Sequence, residues 1–234
     1  MDHLQGAKKV IITARKAEGP EGIGQAVEKL NEISGIKGHA MGIPANVSNE
    51  AEIIRLAKKI EQEDGKLDIL VANAGATWGS TFEDAPDQAS EKILNLNVRG
   101  VGPSTGKVGI IIVSSVAGRT VPHTGENGTI MYAVSKAAAT HLGKNLAIEL
   151  GPRNMATNVV SPGFFPSKLA SGLIDILGGT KDLEEANPRK RLGEPDDIAG
   201  VMTYLCSPSA SYINGVDISV DGGMMHKAGR FARL

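Results

Sequence analysis

The fold class is clearest in one unbroken apolar run that ends in two serines, Gly109-Ile110-Ile111-Ile112-Val113-Ser114-Ser115. Its consecutive β-branched residues predict a strand that is buried on both faces, because a half-buried strand would alternate apolar and polar residues. Such strands are typical of parallel sheets that carry helices on both faces. On either side of this run, short apolar strands alternate with helical patterns, which predicts an α/β protein.

The predicted elements follow one another from one end of the chain to the other. Strands are expected at 9–13, 39–43, 67–71, 108–113, 157–160 and 216–220. Helices are expected at 21–34, 48–65, 86–96, 129–150 and 195–205. We therefore predict a single domain, residues 1–234, with a doubly wound parallel sheet between two layers of helices. Ligands of such folds bind at the carboxyl ends of the strands.

The composition of the 234 residues argues against several functional classes. A formal net charge of −1 provides no field for nucleic acid or an anionic membrane, and 3% aromatic residues provide few stacking platforms for bases. The five histidines are scattered, so no metal site is expected. One cysteine, Cys206, excludes an internal disulfide and fits a reducing, cytoplasmic compartment. Neither a signal peptide nor a membrane-spanning run is recognisable.

Tyr132 and Lys136 lie four residues apart in the predicted helix 129–150 and therefore share one face. A phenol beside a fixed ammonium is a proton donor, and the positive charge is expected to lower its pKa from about 10. Ser115 adds a hydroxyl at the end of the central strand. Serine, tyrosine and lysine in this order suggest carbonyl reduction or alcohol oxidation with a nicotinamide cofactor, although a Tyr-x-x-x-Lys pair alone also arises by chance.

Three more segments stand near the ends of predicted elements. Asn73-Ala74-Gly75 follows a strand, and small residues there let a ligand approach the main chain or simply form a turn. Asn97 could orient a water molecule or cap its helix. Pro162-Gly163-Phe164-Phe165-Pro166-Ser167 also follows a strand, where it could cover a flat ring or only break the chain.

Taken in order, these pieces resemble the short-chain dehydrogenase/reductase family from about Gly6 to the closing Asp221-Gly222-Gly223. The resemblance implies a Rossmann-like three-layer fold, an NADP(H)-dependent oxidoreductase and a small carbonyl or alcohol substrate, without a nucleic-acid or membrane partner. Segments 73–79 and 161–168 are most similar to 3-oxoacyl-[acyl-carrier-protein] reductases of the rhamnolipid-biosynthesis type. Homodimers or homotetramers are usual in the family.

The resemblance also assigns roles to individual residues. Tyr132 would give its proton to the substrate oxygen and Ser115 would hold that oxygen. Ser115 is preferred to Ser114 because the family's serine precedes a small apolar residue. Lys136 would lower the pKa of Tyr132 and hold the nicotinamide ribose, and Asn97 would hold a water that relays protons to Lys136. Further cofactor contacts are implied for Asn46, Val47, Asn73, Ala74, Gly75, Tyr132, Pro162, Gly163, Phe165 and Ser167.

The family's fold opens with a phosphate loop, and the chain allows two interpretations of that region. In one interpretation, 9–13 is the family's first strand and Gly19-Pro20-Glu21-Gly22-Ile23-Gly24 is a degenerate phosphate loop. In the other, 9–13 is the second strand and the first βα unit is missing. Arg15 and Lys16 would then read the adenosine ribose and its phosphate, which selects NADP(H). The spacing onward to Asn46 and Val47 favours the second interpretation.

A second gap follows Asn97, where the family has a long helix that forms much of its dimer interface. Here Gly100-Val101-Gly102-Pro103-Ser104-Thr105-Gly106-Lys107 is too short and too rich in glycine and proline for that helix, so weakened assembly is expected. The segment 169–177 is expected to form a mobile substrate lid. Two functions remain open: an NADP(H)-dependent ketone reductase, with 3-oxoacyl thioesters as candidate substrates, and a catalytically inactive remnant with a binding or regulatory role or none.

Overall fold

The computed structural model describes residues 6–19, 22–35, 37–100, 109–121, 124–176 and 178–227. These residues form two compact units, which divide between Leu67 and Asp68. Every paired strand in the described ranges runs parallel to its neighbour. The predicted α/β class with parallel strands is therefore confirmed. The single domain remains a prediction.

The first unit is built around a two-stranded sheet. Its elements are β1 (Lys9–Ile12), α1 (Ile23–Asn31), β2 (His39–Gly42) and α2 (Glu50–Asp64). The last residue of α1, Asn31, exchanges two hydrogen bonds of 2.7 and 3.0 Å with the backbone of Ala40. Ile23 is buried over β2, where a Cβ at Gly42 would lie 3.0 Å from its Cδ1 atom. Glycine at that position thus leaves room for the Ile23 side chain between α1 and the sheet.

The second unit contains a four-stranded parallel sheet in the order β3-β4-β5-β6. Its elements are β3 (Ile69–Ala72), α3 (Asp87–Leu94), β4 (Gly109–Val113), α4 (Ile130–Leu150), β5 (Thr157–Pro162), α5 (Lys168–Ile176), α6 (Gly179–Ala186), α7 (Pro195–Cys206) and β6 (Asp217–Val220). Both α4 and α7 pack against β5. Because all four strands are parallel, their carboxyl ends lie along one edge of this sheet.

The apolar run recognised in the sequence forms the centre of this unit's core. Ile110, Ile111 and Ile112 in β4 are almost completely buried, and Val159 and Val160 in β5 are fully buried. Because consecutive residues of a strand point to opposite faces, both faces of β4 and β5 are covered. This burial agrees with the expectation for a central parallel strand.

The long helix α4 approaches the sheet closely because its inner face is made of small residues. Ala139, Gly143 and Ala147 recur every four residues on that face, and both alanines are buried. A Cβ at Gly143 would lie 2.5 Å from the Cγ2 atom of Val159. This contact fixes the depth at which α4 holds the polar residues of its first turns.

Several element boundaries differ from the prediction. The N-cap of α2 is Asn49, which accepts a hydrogen bond from the Glu52 N–H at 3.2 Å, so the helix begins after the expected position 48. The hydroxyl of Ser48 instead donates to Asn46 Oδ1 at 2.7 Å. Helix α3 continues into a π-helical turn, Asn95–Arg99. The short helix α6 was not predicted, because Leu183 and Ala186 are its only buried residues and two anchors do not establish a helical period.

The doubly wound prediction implied one continuous sheet, whereas the described strands are divided between the two sheets. This division does not test whether a first βα unit is missing, so that interpretation remains a prediction. Across the described ranges, none of the helices combines the length and apolar character that a membrane span requires. Within the same ranges, His, Cys, Asp and Glu side chains form no group of three or more able to hold a metal ion.

Candidate active site

Tyr132 and Lys136 occupy consecutive turns at the start of α4, as the sequence predicted. Lys136 is 4% exposed, and its Nζ atom lies 5.7 Å from the centre of the Tyr132 ring. The lysine ammonium donates a hydrogen bond of 2.9 Å to the backbone oxygen of Val113, the last residue of β4. The pair is therefore held at the carboxyl end of the central strand.

Burial governs the pKa of both groups. It lowers the pKa of Lys136 from 10.5 to about 8, because the charged form is poorly solvated. Burial also raises the pKa of Tyr132 above 10.0, and a hydrogen bond with Ser115 opposes this only in part. The expectation that the lysine charge lowers the tyrosine pKa is therefore wrong for this structure. Desolvation is the dominant cause, because it disfavours the charged phenolate.

The two serines after β4 have different partners. The Ser115 side chain forms a hydrogen bond with the Tyr132 hydroxyl and also accepts one of 3.2 Å from the Ala117 N–H. Ser114 is buried, donates to the Lys136 backbone oxygen at 2.8 Å, and accepts from Thr140 Oγ1 at 2.8 Å. Ser115 thus shares the site with the Tyr132 hydroxyl, while Ser114 binds the backbone of α4.

Asn97 is buried in the π-helical turn and is almost completely hydrogen-bonded. Its Oδ1 atom accepts from the Ala76 N–H at 2.8 Å, and its Nδ2 atom donates to the Ala76 oxygen at 3.0 Å. Nδ2 also donates to the hydroxyl of Ser135 at 2.9 Å. Only one acceptor position of Oδ1 is left for water, so the side chain mainly connects the backbone at Ala76 to α4.

The glycine of Asn73-Ala74-Gly75 faces the buried polar groups. A Cβ at Gly75 would lie 3.4 Å from Asn97 Oδ1 and 3.5 Å from Lys136 Nζ. Asn73 and Ala74 are exposed at the end of β3. Glycine at position 75 therefore keeps open the space in front of the lysine ammonium.

The segment after β5 is held against the end of β6. The Gly163 N–H donates to the Val220 oxygen at 3.0 Å, and a Cβ at Gly163 would lie 2.7 Å from the Cβ of Asp221. The ring of Phe165 packs directly on Gly193, where any Cβ would overlap it. Ser167 Oγ accepts from the Ala170 N–H at 3.2 Å at the start of α5, which leaves its O–H free to donate.

The remaining predicted cofactor residues lie in the first unit. Arg15 and Lys16 are exposed after β1, and Val47 is half-buried. Asn46 shapes the turn before α2, since its Oδ1 atom accepts from both the N–H and the hydroxyl of Ser48. The Asn46 side chain therefore stabilises this turn through its bonds to Ser48.

The start of α1 is hydrogen-bonded to its own chain. The N–H groups of Ile23 and Gly24 donate to the backbone oxygens of Lys16 and Ala17, at 3.1 and 3.2 Å. A Cβ at Gly22 would lie 2.6 Å from the Glu18 carbonyl carbon, so glycine is needed there for the turn itself. Since a phosphate site needs free N–H groups at a helix start, these bonds favour the interpretation in which this turn is not a phosphate loop.

Residues 3–225 match the model of a family described as enoyl-(acyl carrier protein) reductase. The chain is 31% identical over 228 residues to 5-keto-D-gluconate 5-reductase of Escherichia coli (strain K12), with 94% of this chain and 86% of the relative covered. It is 31% identical over 234 residues to the rhamnolipids biosynthesis 3-oxoacyl-[acyl-carrier-protein] reductase of Pseudomonas aeruginosa, with 94% and 88% covered. The chain belongs to the short-chain dehydrogenase/reductase family.

A solved structure supports the same conclusion. The Pseudomonas aeruginosa RhlG/NADP active-site complex matches with a TM-score of 0.79 and 30% identity, covering 92% of this chain and 86% of that chain. The match confirms the predicted Rossmann-like fold. Membership of the short-chain dehydrogenase/reductase family also confirms the predicted enzyme class, an oxidoreductase.

Sequence reasoning missed two hydroxyl residues near the predicted pair in this short-chain dehydrogenase/reductase. Ser135 and Thr140 are both buried on α4 and both hydrogen-bonded near Tyr132 and Lys136. A small polar residue every few positions on the apolar helix α4 was the available signal. It could not be interpreted without knowing which carbonyl groups lay opposite.

Proposed function

We propose that this chain is an NADP(H)-dependent reductase that converts a ketone to a secondary alcohol. The observation that carries the proposal is the hydrogen-bonded Ser115–Tyr132 pair beside the buried ammonium of Lys136, at the carboxyl end of β4. Family membership supports the reaction class. In the balanced reaction, the substrate carbonyl carbon gains a hydride, its oxygen gains a proton, and the cofactor is oxidised.

Tyr132 is suited to the proton-donating step. Burial keeps its pKa above the ordinary value, so the phenol is protonated at neutral pH and ready to act as an acid. Ser115 donates a hydrogen bond to the substrate oxygen, which stabilises the charge that develops there. Lys136, with its pKa near 8, is poised to return a proton to the tyrosine after the transfer.

The residues of the second unit fit the nicotinamide half of NADP(H), which supplies the hydride when bound. Gly75 leaves space in front of Lys136, where a side chain would intrude between the ammonium and Asn97. Lys136 and Tyr132 would hold the ribose hydroxyls, and Asn73 and Ala74 would line the approach. The proposed contacts to the nicotinamide ring and carboxamide are Pro162, Gly163, Phe165 and Ser167. Proposed contacts in the first unit are Arg15, Lys16, Asn46 and Val47.

A 3-oxoacyl thioester is the proposed substrate. Trp78 and Phe82, 53% and 73% exposed, lie shortly after Gly75. Their segment is tied to the chain that enters α4, because the Ser80 N–H donates to the Gly128 oxygen at 3.1 Å. We propose that these aromatic side chains line the approach to Tyr132, where they would suit an acyl chain better than a hydroxylated sugar acid.

The substrate is tested by comparing kcat/KM for a medium-chain 3-oxoacyl thioester and for 5-keto-D-gluconate. The former is suggested by the Pseudomonas aeruginosa relative and the latter by the Escherichia coli relative. We expect the thioester to be preferred, and Trp78→Ser to reduce that preference. A parent enzyme that prefers the keto acid would contradict the proposed substrate.

A second candidate is a catalytically inactive remnant, and the start of α1 favours it. The N–H groups of Ile23 and Gly24 are bonded within their own chain, so this turn offers no phosphate cradle. The discriminating experiment is a titration of the folded protein with NADPH and with NADH, followed by fluorescence of its single tryptophan, Trp78, and by thermal shift. Saturable NADPH binding supports the reductase. Binding of neither nucleotide supports the remnant.

Self-assembly and location complete the proposal. Residues 101–107 of the shortened segment after Asn97 lie outside the described residues, while Val134 and Ile148 on α4 are exposed apolar residues that a second copy could cover. We propose weak dimers or tetramers, which sedimentation would contradict by showing a tight tetramer.

A cytoplasmic location is proposed from the single cysteine, and fractionation of cells would test it.

A further inference from the structure

Ser135 lies at the centre of the hydrogen bonds around the candidate site, although neither the resemblance nor the sequence assigns it a role. We propose that Ser135 is a positioning residue. It ties the helical turn that carries Tyr132 and Lys136 to Asn97, and through Asn97 to the backbone at Ala76. Its kinetic consequence rests on the proposed reductase function, whereas its structural consequence does not.

The hydroxyl of Ser135 is completely buried and uses both its donor and its acceptor capacity. It donates to the backbone oxygen of Tyr132 at 2.7 Å and accepts from Asn97 Nδ2 at 2.9 Å. Asn97 in turn binds both the N–H and the oxygen of Ala76. A continuous chain of hydrogen bonds therefore runs from the segment after Gly75 to the carbonyl of the proton donor.

This arrangement differs from the usual behaviour of a helical serine. A serine inside a helix commonly donates to a carbonyl three or four residues earlier, and that bond is purely local. Ser135 makes this local bond but also accepts one from a residue 38 positions away. Alanine would fill the same space without the long-range connection, so packing alone does not account for the hydroxyl.

The same turn is held from a second direction. Ser114 donates to the backbone oxygen of Lys136, four residues after the carbonyl that Ser135 holds. Removing the Ser135 hydroxyl frees the Tyr132 carbonyl while the bond at Lys136 remains. We therefore expect the Tyr132 end of the turn to shift relative to Ser115, which the Tyr132 hydroxyl must meet.

The kinetic test uses the full chain with Ser135→Ala, Ser135→Thr and Asn158→Ala. We expect Ser135→Ala to lower kcat about 10- to 100-fold with little change in KM, because a small misplacement of a reacting group has effects of that size. Ser135→Thr keeps the hydroxyl and should recover most of the loss. The Asn158 amide is also buried, and its partners among the described residues are Ile213 and Val216, so Asn158→Ala controls for general destabilisation. Equal kcat in Ser135→Ala and the parent would overturn the proposal.

A second measurement does not depend on turnover. Tyr132, Tyr204 and Tyr212 are the three tyrosines of the chain, so Tyr204→Phe with Tyr212→Phe leaves only Tyr132 to titrate by tyrosinate absorbance. Because the Ser115 bond favours the ionised phenol, Ser135→Ala should move this titration to higher pH, while Asn158→Ala leaves it unchanged. If the parent shows no turnover but Ser135→Ala still shifts the Tyr132 titration, the reductase proposal is wrong and the positioning role is supported. No shift in an active parent would overturn the positioning role alone.

Discussion

Each unit contains a turn that follows a parallel strand and leads toward a helix: the turn between β1 and α1, and the turn after β4. In the first, backbone oxygens of Lys16 and Ala17 bind the N–H groups that open α1, and the nearby side chains are exposed. In the second, Ser114 and Ser115 reach across to α4 and bind groups near Lys136 and Tyr132. The first turn binds backbone groups only, those that open α1 and, through Thr13 Oγ1 and the Ala14 oxygen, those that follow β2. The second turn also binds polar side chains of α4.

This difference shows what makes a strand-end turn a candidate site. Residues of the right type are present in both turns, including glycines and basic side chains in the first. In the second, Ser114 accepts a hydrogen bond from Thr140 Oγ1 and Ser115 bonds to the Tyr132 hydroxyl, so polar side chains of the turn and of α4 are fixed against one another. The following predictions test whether chemistry resides in the second turn alone.

The largest effect is expected at the proton donor. Tyr132→Phe should lower kcat about 10³-fold, since general acid catalysis contributes on the order of 10²- to 10⁴-fold. Ser115→Ala should cost about 10²-fold. Ser114→Ala is the matched comparison, because its hydroxyl does not meet the phenol, and it should lower kcat less than Ser115→Ala. NADPH oxidation with a 3-oxoacyl thioester provides the assay. If Ser114→Ala has the larger effect, the two serines are wrongly assigned.

The second prediction concerns pH and Lys136. Its folded pKa of about 8 lies below the unfolded value of 10.5, so between these values the unfolded chain binds more protons. Stability is therefore reduced below pH 8 and rises as the pH increases from 8 to 10.5, by up to about 3 kcal/mol.

Lys136→Met should be more stable than the parent at pH 7, and the difference should shrink by pH 10. Urea denaturation at several pH values measures this, with Lys144→Met on the exposed side of α4 as the control. A constant difference between Lys136→Met and the parent would show that Lys136 keeps an ordinary pKa.

The third prediction compares a glycine after β5 in the second unit with a glycine at the start of α1 in the first. Gly163→Ala would place a Cβ 2.7 Å from Asp221 Cβ, so it should lower the free energy of unfolding by about 1–3 kcal/mol and weaken NADPH binding. Gly24→Ala would meet only the Ala17 oxygen, at 3.4 Å, and should stabilise α1 by up to about 1 kcal/mol. Thermal unfolding and NADPH titration measure both changes. Weakened NADPH binding by Gly24→Ala would restore the phosphate-loop interpretation.

The smallest effect is expected at the other end of the sheet. Among the described residues, Thr157 Oγ1 is the buried side-chain polar atom without a hydrogen-bond partner. Thr157→Val should therefore stabilise the protein by about 1 kcal/mol, whereas Thr140→Val, which removes the donor to Ser114, should cost about 1 kcal/mol. Chemical denaturation of both variants checks the signs. If Thr140→Val and Thr157→Val change the free energy of unfolding by the same amount and sign, the Thr140 bond contributes nothing to stability.

Much of the fold was predictable because it depends on local patterns. The run 109–115 predicted a central parallel strand, and α4 and α7 were expected close to their observed ends. Prediction failed where few residues carry the pattern, as in α6, or where a local turn competes for a cap, as at Ser48 and Asn49. These elements depend on contacts that the sequence does not display.

The site was predictable in its members but not in its electrostatics. Ser115, Tyr132 and Lys136 were recognisable from their order and spacing. The pKa of Tyr132 was expected to fall but is raised, because spacing shows that a lysine is near and does not show how deeply both groups are buried. Asn97 was expected to hold water, yet nearly all of its hydrogen-bonding capacity is used by Ala76 and Ser135.

The sequence by itself determined the α/β class and the candidate Ser115, Tyr132 and Lys136. Periodicity and residue order are properties of the chain, and both are visible in the sequence without a structure. The tertiary structure decided which serine meets the phenol, that Ser135 connects Asn97 to Tyr132, and that the glycine turn before α1 is closed on itself. These outcomes depend on burial and on hydrogen bonds between groups far apart in sequence, which no local pattern encodes.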